Sequence, residues 1–260
     1  MKSKRISLLA AAFVLAFAFS VQAQSSLDAA DILRKIDDKR QVDVRDAVIR
    51  GTLDFTELSN QQRMKSSRMA NDEYKSRVEV PLTFRNCTFK GDVIAYKTLE
   101  KDGNQRRNWG NDQTLYTADF KEKVVFENCT FEGKTEFKYS DFDEIAVFND
   151  NKFRYEANFK YANFREDARF EGTEFNDSAN FKYADFRGAA FFTDARISDH
   201  ADFKYAEFND EVKFAKTRFG GSADFKYADF NRSGDFSNAD FRNRPDFKYA
   251  QGRYKLESNF

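Results

Sequence analysis

The chain has 260 residues, with 43 basic and 43 acidic side chains, one His and two Cys. That length fits one or two domains, and the balanced charge excludes any global electrostatic case for nucleic acid or an anionic membrane surface. There are 31 Phe beside a single Trp in a chain whose mean hydropathy is −0.76; regular spacing of those rings points to a thin ordered core, because disordered chains are poor in aromatics.

The chain opens with Lys2, Lys4 and Arg5, then the apolar run ISLLAAAFVLAFAFSV, then Val21, Gln22 and Ala23. This order reads as a signal peptide over residues 1–23, cut after Ala23. The run is short for a membrane-spanning helix, which needs about 20 apolar residues. No Cys follows the cut to carry a lipid, and no second apolar span lies downstream, so the mature chain is expected to have no transmembrane segment. Residues 24–41 then predict a capping helix, with Ser26 as its N-cap. Leu27, Ala30, Ile32, Leu33 and Ile36 form its apolar face.

From Val42 to the end the spacing changes. Phe137, Phe159, Phe181, Phe203, Phe225 and Phe247 recur every 22 residues. Between them, large apolar residues follow in steps of five and six, as in Phe159, Phe164, Phe170 and Phe175. Such steps do not follow a helix. A small residue often stands two places before the ring, as at Ala157, Ala162, Ala179, Ala184, Ala201 and Ala223. Positions two apart share one side of an extended strand. Each unit is therefore a very short strand with Ala and Phe inward, and four units make one coil. A fixed period near 20 is the signature of a solenoid. Two stretches break the rule, about 57–77 and 96–117, and are expected to be loops inserted into early coils. The helix before the repeats would cover the open first coil, which otherwise exposes core and unpaired edges. At the far end, Tyr254, Leu256 and Phe260 alternate with polar residues like a last strand.

The unit A-[DN]-F-x-x, as in Ala184-Asp185-Phe186, resembles the pentapeptide-repeat proteins, here in a Phe-centred variant with units of five and six residues. The resemblance spans about Val42 to Ala250. It implies an all-β, right-handed, four-sided parallel β-helix. It carries little about function, because the family shares an architecture and not a reaction.

The chemistry is sparse. The single His200 holds a turn position in its coil. No Ser-His-Asp set, phosphate-binding Gly loop, zinc spacing or Gly-rich calcium motif is written in the chain, so no catalytic residue, metal or cofactor is expected. Acidic pairs such as Asp143-Glu144 and Asp210-Glu211 are what a chain one-third charged contains by composition. Cys87 and Cys129 stand two places before Phe89 and Phe131, in neighbouring coils once the second insertion is set aside. That leaves two alternatives: a disulfide, or two buried thiols filling an Ala slot.

One feature is kept in every coil. Lys138 and Tyr139, Lys160 and Tyr161, Lys182 and Tyr183, Lys204 and Tyr205, Lys226 and Tyr227, Lys248 and Tyr249 all follow the same Phe. Stacked coils turn them into two outward columns. The pairs after Phe142, Phe164, Phe186, Phe208 and Phe230 drift freely between acidic, basic and neutral residues. The Lys-Tyr edge is thus either a structural ladder or a recognition strip for an anionic glycan or a partner protein. The sequence supports an exported, non-enzymatic scaffold of a bacterial envelope, most readily periplasmic, with the cell surface or the extracellular medium as alternatives. Two other classes are weaker. A glycan-acting enzyme would need a carboxylate cleft. A DNA mimic that inhibits topoisomerases, known in the family, is disfavoured by the signal peptide and by Lys and Arg on the strand faces; no nucleic-acid partner is expected.

Overall fold

The computed structural model describes residues 25–64, 72–100 and 113–256. The signal peptide and Phe260 lie outside the described residues. In the rest, two-residue strands stack in register one coil above the next. The coil from Thr135 shows the plan. Its first side is Thr135–Glu136, its second Asp141–Phe142, its third Ala146–Val147 and its fourth Lys152–Phe153. Each strand pairs in parallel with the residue 22 places on, as Phe142 with Phe164 and Phe153 with Phe175. First-side strands form a seven-stranded sheet and fourth-side strands a nine-stranded one, while the second and third sides join in a third sheet. This is the parallel β-helix that the 22-residue period predicts.

The alternation of sides follows from residue type. Phe137, Phe148, Phe159, Phe170, Phe181, Phe192 and Phe203 are fully buried, and so are Ala157, Ala162, Ala179 and Ala201. Each ring lies flat on its equivalents above and below: Phe159 on Phe181 at 5.0 Å, Phe181 on Phe203 at 5.1 Å, Phe203 on Phe225 at 5.0 Å. Within a coil the rings meet edge to face, as Phe181 does with Phe192 at 5.3 Å and 85°. Stacked and T-shaped contacts are the two arrangements aromatic rings prefer, so one residue type fills both directions of packing. A leucine column would fill the volume without fixing the angle.

The first coil is closed by a strand and a helix. Ser25–Asp28 pairs in parallel with Ala47–Arg50 on the fourth side. The helix runs Ala29–Asp37 and its N-cap is Asp28, whose carboxylate accepts from the Ala30 N–H at 2.8 Å. The expected cap at Ser26 is thus corrected. Ser26 extends the sheet, and an acidic residue as cap two residues later also suits the positive end of the helix. Ala29, Ile32 and Ile36 are buried and Leu33 packs partly. Ala30, expected on the apolar face, is exposed, because at about 100° per residue it stands roughly 200° round the helix from Ile32.

The two insertions also differ from the expectation of loops. Gln62–Arg63 runs antiparallel to Asp72–Val78, and Tyr96–Glu100 runs antiparallel to Gln113–Phe120. Asp72–Val78 and Gln113–Phe120 pair in parallel over seven residues. The two excursions therefore form a four-stranded arm that continues the sheet of the second and third sides. Tyr74 stacks on Tyr116 at 5.3 Å along it, and Lys75 reaches the buried carboxylate of Asp119 at 3.1 Å. Period-22 counting stops at each insertion, so this pairing was invisible to it.

Candidate functional site

The Lys-Tyr columns stand at the corner between the first and second sides. Each Tyr occupies a left-handed backbone conformation: φ is 61° at Tyr139, 59° at Tyr161 and Tyr183, 56° at Tyr205, 60° at Tyr227 and 63° at Tyr249. The Tyr N–H donates to the Lys carbonyl one coil on, as Tyr161 to Lys182 at 3.0 Å. The Lys N–H donates to the side chain two residues before it, to Asn158 at 3.2 Å, Asn180 at 3.3 Å, Asp202 at 3.0 Å and Asp224 at 3.0 Å. This explains why Asn and Asp recur before the Phe: they close the turn with a side-chain acceptor.

The corner across the coil has the same backbone and different residues. Asp150, Asp194, Lys216, Asn238 and Gly172 hold positive φ there. Asn, Asp and Gly enter this region readily, whereas a bulky side chain there is an outlier. The strain is of order 1–2 kcal/mol for each residue. Tyr carries it six times over. The rings return part of the cost by stacking at 4.9, 4.7, 4.7, 4.7 and 4.9 Å from Tyr139 through Tyr249. Each such pair contributes about 0.5–1.5 kcal/mol. Tyr183→Asn should therefore lose less stability in urea unfolding than Tyr183→Ala, by roughly the 1 kcal/mol of the left-handed term. Equal losses would show that the corner imposes no strain.

The Lys column divides into two parts. Lys204 lies 3.7 Å from Asp202 and 3.6 Å from Asp224, and Lys226 lies 3.2 Å from Asp224 and 3.3 Å from Asp246. Hydrogen bonds to Asp224 and Asp246 push the Lys226 ammonium above its ordinary pKa. In the earlier coils the matching positions are Glu136, Asn158 and Asn180. There the ammonium groups turn over the rings, Lys138 at 4.9 Å from Tyr139, Lys160 at 5.2 Å from Tyr161 and Lys182 at 5.3 Å from Tyr183. Lys138 also donates to the Tyr96 hydroxyl at 2.9 Å, so the arm's Tyr96 ends the column. Burial, then the charges of Lys138 and Lys182, hold Lys160 below the usual lysine pKa. Among the described residues, Lys160 and Lys182 have no carboxylate within 4.0 Å. The two halves have different electrostatics although the FKY motif is the same in both.

The other sequence candidates do not join this site. Cys87 and Cys129 are buried and free, in adjacent coils. Contact with Cys87, followed by burial, pushes the Cys129 thiol up. Above them in the same slot come Asn151 and Thr173, whose side chains bond the Phe126 and Phe148 carbonyls. His200 bonds Ser222 at 2.6 Å at a partly exposed turn. Asp143 is engaged by Lys121 at 3.0 Å and Arg165 at 3.1 Å, and Asp210 by Arg232 at 2.9 Å.

A family model described as Pentapeptide repeats (9 copies) matches residues 159–207 and 203–251. No curated protein and no solved structure matches the chain.

Proposed function

From the premise that this is a pentapeptide-repeat protein, its repeats matched over residues 159–251, we propose that it is an exported, non-enzymatic scaffold of the bacterial envelope, and that it holds an extended anionic glycan along Lys138, Lys160 and Lys182. The observation that carries the reading is the division of the Lys column. Cations stacked one per coil repel one another, and among the described residues that repulsion goes without a carboxylate within 4.0 Å over the two successive layers of Lys160 and Lys182. Stacked Tyr rings fix the column, so little entropy is lost when a chain-like ligand lies along it. A desolvated ammonium held over an aromatic face remains free to meet an oxyanion on its outer side. Export rests on the leader pattern of residues 1–23.

Binding and location can be tested together. Native protein should appear in the periplasmic fraction with Gln24 as its first residue. Co-sedimentation with envelope material should weaken as salt rises. Changing Lys138, Lys160 and Lys182 together to Gln should abolish that co-sedimentation and change stability by no more than about 0.5 kcal/mol per site. Changing Lys204 and Lys226 instead should leave binding in place and lower stability, because Asp202, Asp224 and Asp246 lose their partners. Binding that survives the first set, or a cytoplasmic protein, would sink the reading; binding to protease-treated but not glycosidase-treated envelopes identifies the glycan.

A further inference from the structure

The fourth side carries a separate charged feature. Its outward residues in consecutive coils are Lys152, Glu174, Arg196, Arg218 and Asp240, all in register. Lys152 and Glu174 pair at 2.8 Å. Arg196 then lies directly opposite Arg218, and among the described residues neither has a carboxylate within 4.0 Å. Arginines elsewhere on the wall do: Arg85 meets Glu127 at 2.7 Å, Arg154 meets Glu132 at 3.1 Å, Arg187 meets Asp185 at 3.0 Å and Arg232 meets Asp210 at 2.9 Å. Like charges directly opposite across a strand pair are destabilising. Two shallow grooves meet at this point. One, of about 440 Å³, is lined by Arg196, Ser198, Arg218, Gly220, Asp240 and Arg242. The other, of about 510 Å³, shares Arg196, Arg218 and Asp240 and adds Asp194 and Lys216.

We infer that Arg196, Arg218 and Arg242 form a binding site for an oxyanion (phosphate, sulfate or carboxylate) carried on a hydroxylated molecule such as a sugar. An anion between the two facing guanidinium groups replaces repulsion with charge-assisted hydrogen bonds, which Arg makes in a fork that matches oxyanion geometry. Asp194 and Asp240 stand at the margins of the cationic centre, where they accept from hydroxyl groups. Their charge also opposes a continuous run of phosphates, so the groove suits a single anionic group and not a nucleic-acid backbone. The site stands on other residues and another side of the coil than the Lys-Tyr ladder.

The test titrates inorganic phosphate, a hexose phosphate and the neutral hexose into the mature protein by calorimetry. Saturable binding of both phosphates and none of the neutral sugar is expected. Arg196→Gln and Arg218→Gln should each weaken it by roughly tenfold or more. Arg187→Gln, on the second side, should leave it unchanged. Tighter binding of the hexose phosphate than of inorganic phosphate assigns Asp194 and Asp240 to the sugar hydroxyls; equal affinity identifies the free ion as ligand. Absence of saturable phosphate binding, or binding that withstands both arginine changes, overturns the proposal. Because ladder variants act on envelope binding and arginine variants on phosphate binding, failure of one reading leaves the other standing.

Discussion

Phe203→Ala is expected to lower the unfolding free energy by about 3–5 kcal/mol, the range for a large buried aromatic. Phe203 is fully buried. It touches Phe181 below and Phe225 above at 5.1 and 5.0 Å, and meets Phe192 and Phe214 edge-on at 5.4 and 5.2 Å. The neighbours cannot close the gap. Each is itself held by rings above and below, and the strand spacing is set by backbone hydrogen bonds such as that from the Phe203 N–H to Asp224 at 2.8 Å. The cavity term therefore stays near its full size. A middle coil also joins the two halves of the stack, and in a solenoid each repeat is stabilised through its neighbours. A second, earlier transition in calorimetry would accompany the loss as the halves uncouple. A loss below about 1 kcal/mol would mean that the ring columns do not hold the coils together.

What the sequence made legible was what repeats. Phe137 through Phe247 at a constant 22 residues give the coil length, the inward face and the corner that bears Lys and Tyr, because a solenoid converts sequence period directly into position. The arm was not legible, since Asp72–Val78 and Gln113–Phe120 each occur once and pair across insertions of different length. The helix cap was misplaced for a related reason: both Ser26 and Asp28 are good caps, and only the pairing of Ser25–Asp28 with Ala47–Arg50 decides between them. The ladder's residues were evident, but its strain was not. Nothing in the letters FKY says that Tyr sits at positive φ; that follows from the hydrogen bonding of the corner. The electrostatic division was written in the sequence, as Asn158 and Asn180 against Asp202, Asp224 and Asp246, but its meaning depends on which side chains the Lys can reach. Arg196 and Arg218 were likewise present as letters, and became a feature once register placed them face to face.

Two deletions of different length separate the ladder from the fold. Removing residues 181–202 takes out one whole coil. Phe203 then follows Asn180 as Phe181 did, Tyr205 comes to lie on Tyr161, and every column closes in phase. That protein should fold as a shorter rod with cooperative unfolding, because each coil contacts only its neighbours. Removing residues 181–191 takes half a coil. Phe192 then takes the place of Phe181 and Asp194 the place of Tyr183, at nearly the same backbone angle, 58° against 59°. The steps of five and six continue unbroken, so the ring core still forms. The Lys-Tyr columns, however, are cut: Tyr139 and Tyr161 remain at one corner, while Tyr205, Tyr227 and Tyr249 move to the corner across the coil. Charged neighbours on the four sides also change partners. The half-coil deletion should therefore be the less stable of the two, by at least the one severed ring pair of about 0.5–1.5 kcal/mol. Lys138 and Lys160 keep their places in both variants. In the whole-coil deletion Lys204 follows them in line with Asp224 nearby, while in the half-coil deletion Thr193 takes the next Lys position and Ala215 the one after it. Envelope binding should fall in the first and be lost in the second. An unfolded whole-coil deletion would contradict the modular coil, and equal envelope binding by the two would remove the ladder from the function, since only one of them retains it as a continuous strip.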